Sequence, residues 1–553
     1  MLEVCEKSGG DEQMIELIKF GFRYIRKSLY ICYLFLCGAM SLVGTVTPLL
    51  MGGVINCLTD QKSMDTTGKM IGIFCLFGIF EIIVGVLQNY ISVKLEADSD
   101  YKANKHFLKK LYHTSYLNVS TEDPAMLNQK LSTDLNSVVS FSIAFFRDVI
   151  NNVIFVVCIA LILVFQSPEL CVVLFALAFC YALVYLRTRK KMYDVSFQVK
   201  EAQTSFFGHL YGMVYFMKSI RNNGFESRSF QKLDKEYTGY YKCLQKQVNV
   251  NTIFNSVIDM ISLLAQTFLF FLGGKMVLEG QLSIGLLVAL LNYFSILLRS
   301  TDYFLNLGQN YQNMRSSYQR LIPYDVMEQI VEGKEIFHEI KEIELKDVRF
   351  AYPGQKPLFC MNQKLERGKI YWVKGKNGIG KSSLMNLILG LFGNDYSGEI
   401  QINKSPLKQV DLSRFIQEKT AIVEQEPYLL SDSLRSNILC KSLGEEKEEI
   451  DRLFTLFGMD DFMKKQEKGL DTVYNSMNSA MSGGEKQKFA IIRMFLSSAD
   501  VWFLDEPTSA LDLMSTKHFY EELKRQKEKH IIIMISHEIP QEYDEVIEMR
   551  QEI

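Results

Sequence analysis

The chain has 553 residues, enough for two or three ordinary domains, and carries 61 Lys plus Arg against 63 Asp plus Glu. That balance excludes a dedicated nucleic-acid binder, which needs a basic excess. Apolar residues make up 48%, an ordinary globular share, yet the long apolar runs lie before Leu307 and the charge is concentrated after it.

The first 28 residues mix charged and apolar positions and lack a secretory leader pattern, so the N-terminus is expected in the cytosol. Within them, Asp11 to Ser28 has the spacing of one amphipathic helix, with Lys19, Arg23, Arg26 and Lys27, and is expected to lie on a membrane surface. Six apolar stretches follow, each near the ~20 residues that cross a bilayer. They run from Leu29 to Ile55, Met70 to Val93, Val149 to Gln166, Leu170 to Leu186, Ile253 to Leu272 and Ile284 to Leu307. Only Ser167-Pro168-Glu169 separates the third from the fourth, which predicts a tight helical hairpin. The eleven Cys show no close-spaced metal pattern, and Cys32, Cys37, Cys75, Cys158 and Cys180 sit inside apolar runs as small buried hydrophobes do.

Basic residues set the orientation. Residues 94–147 hold seven Lys and Arg and residues 187–251 hold twelve, whereas the opposite-side loops hold only Lys62, Lys69 and Lys275. The long connections and both termini are therefore expected in the cytosol. Each connection exceeds 50 residues, is poor in Gly and Pro, and has helical periodicity, as in Phe107 to Tyr112 and Val199 to Ala202. Two helices and a tip would carry each arm roughly 40 Å from the bilayer. The aromatic content at Phe206, Phe207, Tyr211, Tyr215 and Phe216 argues against disorder.

Charged residues at membrane depth are costly and face a partner or a cavity. Glu81 sits near the middle of span two and Asp259 in span five, while Arg299 and Asp302 lie toward the cytosolic end of span six. Two readings stand: structural pairing between helices, or an acidic cavity suited to cationic or amphipathic cargo.

From Lys341 the pattern changes. Ile343, Leu345, Val348 and Phe350 alternate as in a strand, and Ile370 to Lys374 forms another. Gly375-Lys376-Asn377-Gly378-Ile379-Gly380-Lys381-Ser382 follows at once, then Ser383 and a helical run. This is a phosphate-binding loop in the strand–loop–helix context it requires. Its glycines let backbone N–H groups wrap phosphates, Lys381 reaches the terminal phosphates, and Ser382 offers a hydroxyl to Mg²⁺. Downstream, Val501 to Leu504 is an apolar strand ending in Asp505-Glu506. Asp505 is placed to hold Mg²⁺ through water and Glu506 to polarise the attacking water.

The order Tyr352, phosphate loop, Gln425, Met481-Ser482-Gly483-Gly484-Glu485, Asp505-Glu506, Ser509-Ala510-Leu511-Asp512 and His537 closely resembles the ATP-binding cassette family. Together with the six spans and long arms, it resembles the exporter-type half-transporters of that family. The resemblance implies a multidomain fold, an all-α six-helix transmembrane domain followed by an α/β P-loop ATPase. The expected divisions are an N-terminal segment over 1–28, the membrane domain over 29–330 and the cassette over 335–553. It further implies that Tyr352 stacks on adenine, that Gln425 senses Mg²⁺, and that Ser482, Gly483, Gly484 and Glu485 cap an ATP held by a second subunit. Asp512 is implied as the acid linking the two sites, and His537 as the γ-phosphate contact that braces Glu506. The segments Asn118 to Pro124 and Gly212 to Asn223 resemble the two coupling helices at the arm tips.

This sequence departs from the family pattern at three places. The signature has Met481 and Glu485 where Leu and Gln are usual. Tyr474-Asn475-Ser476-Met477 lacks an expected acid, and sixteen residues follow His537, fewer than the cassette's usual C-terminal helices need. The function implied is ATP-driven export of an amphipathic or hydrophobic cargo, with a peptide as one candidate, using ATP and Mg²⁺ in a bacterial plasma membrane; the expected partner is a second half-transporter, in a homodimer first and in a heterodimer as the alternative. A lipid flippase of the same fold, a gated channel or regulatory ATPase, and an importer are the alternatives.

Overall fold

The computed structural model describes residues 10–120, 122, 127–128, 130–166, 168–439, 447–475 and 481–550. They form two compact units, one ending at residue 108 and resuming over 124–325, the other comprising 109–123 and the chain from 326.

The first unit is helical because apolar segments in lipid must satisfy every backbone group internally. Its helices are α1 (Gly10–Phe22), α2 (Lys27–Thr59), α3 (Met64–Tyr112), whose last residues join the second unit together with the short α4 (Tyr116–Ser120), then α5 (Leu135–Gln166), α6 (Pro168–Tyr215), α7 (Met217–Asn222), α8 (Glu226–Leu278) and α9 (Ile284–Val326). Helices of 43 to 53 residues run from span into arm without a break, α3, α6, α8 and α9 among them. Among the described residues, five helices are long and apolar enough to cross a membrane: Lys27–Thr59, Met64–Tyr112, Lys130–Phe165, Glu226–Leu278 and Ile284–Gly308. The fourth expected span is helical within α6. Several of its side chains, and Ser167 of the hairpin tip, lie outside the described residues.

Close backbone contact holds α2 to α9. A Cβ on Gly285 would fall 1.9 Å from the Gly52 carbonyl oxygen, so only glycine permits this crossing. Asn56 seals it by accepting from the Gly285 N–H at 2.8 Å. Pro48 removes a helical donor from α2, and one turn back the Tyr293 hydroxyl donates to the Thr45 carbonyl at 2.7 Å. Glu81 accepts from the Thr47 hydroxyl at 3.4 Å, the structural pairing of the two expected readings. Asp302 accepts from the Asn306 amide one turn along its own helix, whereas Asp259 is exposed on α8.

One expectation needs correction. The amphipathic segment is not a single helix to Ser28: α1 ends at Phe22 and the chain turns before Lys27. Phe20 is buried edge-on against Tyr24, Phe107 and Tyr318, so α1 places its apolar face on protein rather than on lipid.

The second unit contains an antiparallel sheet, ordered β2-β1-β4-β5, and a parallel sheet, ordered β6-β7-β8-β3-β9. Their strands are β1 (Glu342–Phe350), β2 (Phe359–Glu366), β3 (Lys369–Lys374), β4 (Ser397–Ile402), β5 (Ser405–Pro406), β6 (Thr420–Val423), β7 (Val501–Asp505), β8 (Ile531–Ile535) and β9 (Glu545–Glu548). The parallel strands are apolar throughout because both faces are covered. Val501, Phe503, Ile531 and Ile533 enter one core, and Trp502, Leu504, Ile532 and Met534 enter another. Covering helices are α10 (Lys381–Ile388), α11 (Leu434–Leu439), α12 (Lys447–Leu456), α13 (Asp460–Lys464), α14 (Gly483–Phe495) and α15 (Leu513–Gln526).

The tip of the first arm is built into this unit. The Tyr116 N–H donates to the Leu391 carbonyl, Ser115 Oγ to Asp395, and Leu117 joins the core. The docked helix is thus Tyr116–Ser120, slightly before the expected Asn118 to Pro124, of which residues 121, 123 and 124 lie outside the described set. The second tip is α7, flanked by exposed Phe216 and Phe225.

Buried Asp134, in the first unit, accepts from Arg320 Nε at 2.7 Å and from Ser317 Oγ at 3.0 Å. Arg320→Met leaves that carboxylate short of its cation and should cost about 1–3 kcal/mol. Adding Asp134→Asn should recover part of the loss; thermal melts of the purified wild type, single and double variants check both.

Candidate active site

The register of the parallel sheet sets the site. Val373 and Asp505 both pair with Ile535, so the carboxyl ends of β3, β7 and β8 lie side by side. The phosphate loop, Glu506 and His537 leave from those three ends.

Gly375, Asn377 and Gly378 lie in the first loop, with Asn377 and Gly378 exposed. Gly380 ends it as the N-cap of α10 at φ +99°, a left-handed conformation that favours glycine. Lys381 is buried and its ammonium donates to the Gly375 carbonyl at 2.9 Å, closing the loop on itself. Ser382 Oγ donates to Asp505 Oδ2 at 3.0 Å. Two of the three residues predicted for Mg²⁺, Ser382 and Asp505, are therefore neighbours. Tyr352 turns its hydroxyl to within 3.0 Å of Ser383 Oγ, which puts the predicted adenine-stacking ring beside the same helix start.

Burial pushes the Asp505 carboxyl above its ordinary range; the Ser382 hydroxyl opposes this and the adjacent Glu506 adds to it. A carboxylate in that state favours a cation nearby. With a hydroxyl beside it, the donor set suits an oxygen-seeking cation that completes its shell from phosphates and water.

Glu506 is held from two sides. Gln425 Nε2 donates to its Oε2 at 3.2 Å, and His537 Nε2 lies 2.8 Å from its Oε1. The three residues predicted to be catalytic thus converge on one carboxylate. Among the described residues no donor meets the Gln425 amide oxygen, which leaves it for the predicted metal role.

The signature residues start α14. Ser482 is its N-cap and accepts from the Glu485 N–H at 3.2 Å, while Glu485 Oε2 accepts from the Ser482 N–H at 2.7 Å and from its hydroxyl at 2.9 Å. This is a complete capping box. A Cβ on Gly484 would meet the Ala510 carbonyl at 2.8 Å, whereas one on Gly483 would meet nothing within 4 Å. Packing within the chain accounts for Gly484 and, among the described residues, leaves Gly483 without a neighbour on its Cβ side. Asp512 caps α15 by accepting from the Ser515 N–H, and Lys488 at 2.6 Å holds its carboxyl well below the usual range.

Sequence reasoning missed Gln487. Its Nε2 donates to the Glu506 carbonyl at 2.9 Å and it is 1% exposed. The signal was present: Gln487 shares a helical stripe with buried Ala490, Ile491 and Met494, and a polar residue on an apolar stripe needs a partner. Ser476 and Met477 of the departing upstream segment lie outside the described residues.

Residues 29–301 match the family model for the ABC transporter transmembrane region, and residues 358–509 match the ABC transporter model. An ATP-dependent lipid A-core flippase of Photobacterium profundum is 24% identical, the match covering 91% of this chain and 86% of that protein. A leukotoxin translocation ATP-binding protein of Mannheimia haemolytica is 23% identical, over 90% of this chain and 71% of that one. The solved structure of a bacterial Atm1-family ABC exporter with ATP bound superposes with TM-score 0.78 at 16% identity, covering 95% of this chain and 94% of its own.

The capping box gives a stability test. Glu485→Ala removes the acceptor for the Ser482 donors and should cost the protein about 0.5–1 kcal/mol. Glu485→Gln keeps an acceptor oxygen and should cost less than half of that, as calorimetry of the two purified variants would show.

Proposed function

Because this chain belongs to the ATP-binding cassette transporter family, a membrane domain and an ATPase cassette in one polypeptide that couples ATP hydrolysis to transport, we propose that it is an exporter half working as a dimer. The proposal places the cassette on the cytosolic side of a bacterial plasma membrane. Glu506, clasped between Gln425 and His537 beside the Ser382–Asp505 pair, is the observation that carries the chemistry.

In this reading the backbone of the Gly375 to Gly380 loop and Lys381 hold the phosphates of ATP, and Tyr352 packs on the base. Ser382, Asp505 and the free Gln425 oxygen would hold Mg²⁺, whose charge offsets that of the phosphates. Glu506 accepts a hydrogen bond from water and aims its oxygen at the γ-phosphorus. The new P–O bond forms as the bond to the β–γ bridging oxygen breaks, giving ADP and phosphate, with the water proton passing to the Glu506 side. His537 needs only an Nε2–H tautomer to keep the carboxylate aimed. Such sites work by positioning and electrostatics.

The dimer follows from incompleteness. This sequence carries one phosphate loop and one signature, and among the described residues nothing lies within 4 Å of a Cβ placed on Gly483. A second subunit's nucleotide fits there. A mixture of Lys381→Ala and Ser482→Ala chains should therefore keep one intact composite site per mixed dimer, and each single-variant homodimer should be nearly inactive. Wild-type turnover in the Ser482→Ala homodimer would sink the shared site.

For cargo we propose an amphipathic or hydrophobic molecule. The relatives named for lipid A-core and for leukotoxin are 24% and 23% identical to this chain, so likeness does not choose between them. Asp259 supports a cationic amphipathic peptide, as an acid at membrane depth exposed on α8. Asp259→Asn should weaken ATPase stimulation by such a peptide and spare stimulation by a neutral lipid. The reverse ranking would favour the flippase reading.

The hydrolysis step has a sharper test. Glu506→Gln should retain ATP, because the loop, Lys381, Ser382 and Asp505 are untouched, while turnover falls about 100-fold or more. Bound-nucleotide and phosphate-release assays on one preparation measure both. Normal turnover removes Glu506 from the mechanism.

A further inference from the structure

Glu506 has φ +49°. A non-glycine residue in the left-handed region is strained by roughly 1 kcal/mol or more and keeps that conformation only where its surroundings impose it. Its N–H donates to the Ile535 carbonyl on β8 at 2.9 Å. Its own carbonyl accepts from Ser509 Oγ at 3.0 Å and from the Gln487 amide at 2.9 Å. Ser509 is exposed and belongs to the same turn, so its bond moves with Glu506. Gln487 is buried and belongs to α14, the helix that begins with the signature.

We propose that Gln487 is a positioning residue for ATP hydrolysis, which fixes the main chain of Glu506 and ties the aim of its carboxylate to the signature helix. The inference rests on the reading of Glu506 as the group that orients water. Two further contacts make the tie rigid. Gly484 lies against the Ala510 carbonyl, closer than any side chain would allow, and Lys488 pairs with Asp512 at 2.6 Å. The first two turns of α14 therefore hold the 506–512 segment at three points. A displacement of Ser482 by a phosphate is passed through α14 to the Glu506 backbone, and so to the carboxylate between Gln425 and His537.

The test uses the full-length dimer in lipid nanodiscs. Gln487→Leu keeps the bulk and removes the donor. Its kcat should fall about tenfold or more, with KM for ATP and affinity for a fluorescent ATP analogue within roughly threefold of wild type. Gln487→Glu is the decisive variant, since a carboxyl donates to the Glu506 carbonyl only while protonated. The ratio of its kcat to that of wild type should drop at least roughly fivefold between about pH 6 and about pH 9. Glu506, Asp505, His537, Lys488 and Asp512 surround this position in both proteins, and taking the ratio to wild type removes the pH response that the two share. A flat ratio, a Gln487→Leu enzyme with wild-type kcat, or a fall in nucleotide affinity matching the fall in turnover would overturn the proposal. Glu506→Gln run alongside separates the two ideas. An inactive Glu506→Gln beside normal Gln487 variants refutes the positioning role alone, and an active one refutes the role of Glu506 and this inference with it.

Discussion

In the proposed mechanism Glu506 stands beside a triphosphate that repels its carboxylate, and the side chain has several rotamers in which to retreat. Two unit charges 4 Å apart interact by about 4 kcal/mol at the effective dielectric of a protein surface, enough to swing an unrestrained side chain away. The structure counters this at both ends of Glu506. Gln425 and His537 each offer a donor to one carboxylate oxygen, and Ile535 and Gln487 fix the main-chain amide and carbonyl. Asp505, one residue earlier, faces the opposite requirement. Burial raises its proton affinity, which a cation beside Ser382 would reverse. The adjacent acids thus differ in surroundings: Glu506 is bound through side-chain donors, and Asp505 sits in a more buried corner beside the Ser382 hydroxyl.

That division depends on the sheet. Parallel strands buried on both faces cannot slip register without moving Trp502, Phe503 and their neighbours into the wrong core. The pairing of Val373 and Asp505 with Ile535 is therefore fixed by hydrophobic packing far from any charge. Apolar burial at one end of the strands sets distances between polar groups at the other. The first arm tip belongs to the same body, since its backbone donates to Leu391 and its Leu117 lies in the core cluster that includes Phe350 and Phe503.

What the sequence revealed follows from how local each signal is. The phosphate loop and the Asp505-Glu506 strand end were legible because their chemistry needs fixed residues at fixed short spacing. The apolar spans were legible because lipid demands long uninterrupted runs. The end of α1 at Phe22 was not, since Phe107 and Tyr318 decide it from about 90 and 300 residues away. The inclusion of residues 109–123 in the second unit was hidden for the same reason. Gln487 was readable only as a polar residue on a buried stripe; its acceptor, a main-chain carbonyl 19 residues on, left no mark in side-chain identity.

The signature carries its own argument about what it faces. Of its two glycines, Gly484 is required by the approach of the Ala510 carbonyl, whereas among the described residues no atom comes close enough to require glycine at 483. A glycine in open space loses conformational entropy on folding and gains no packing, so folding alone does not favour it there. Beside it, the Ser482 hydroxyl donates to the Glu485 carboxylate, and that carboxylate already occupies the positive end of α14. A phosphate approaching Gly483 must therefore take the Ser482 hydroxyl from an anion of the same chain, where a neutral glutamine would offer weaker competition. The helix start is thus sterically open and electrostatically part-satisfied. It suits a ligand whose own cation and second set of contacts, held elsewhere, supply the rest of the attraction.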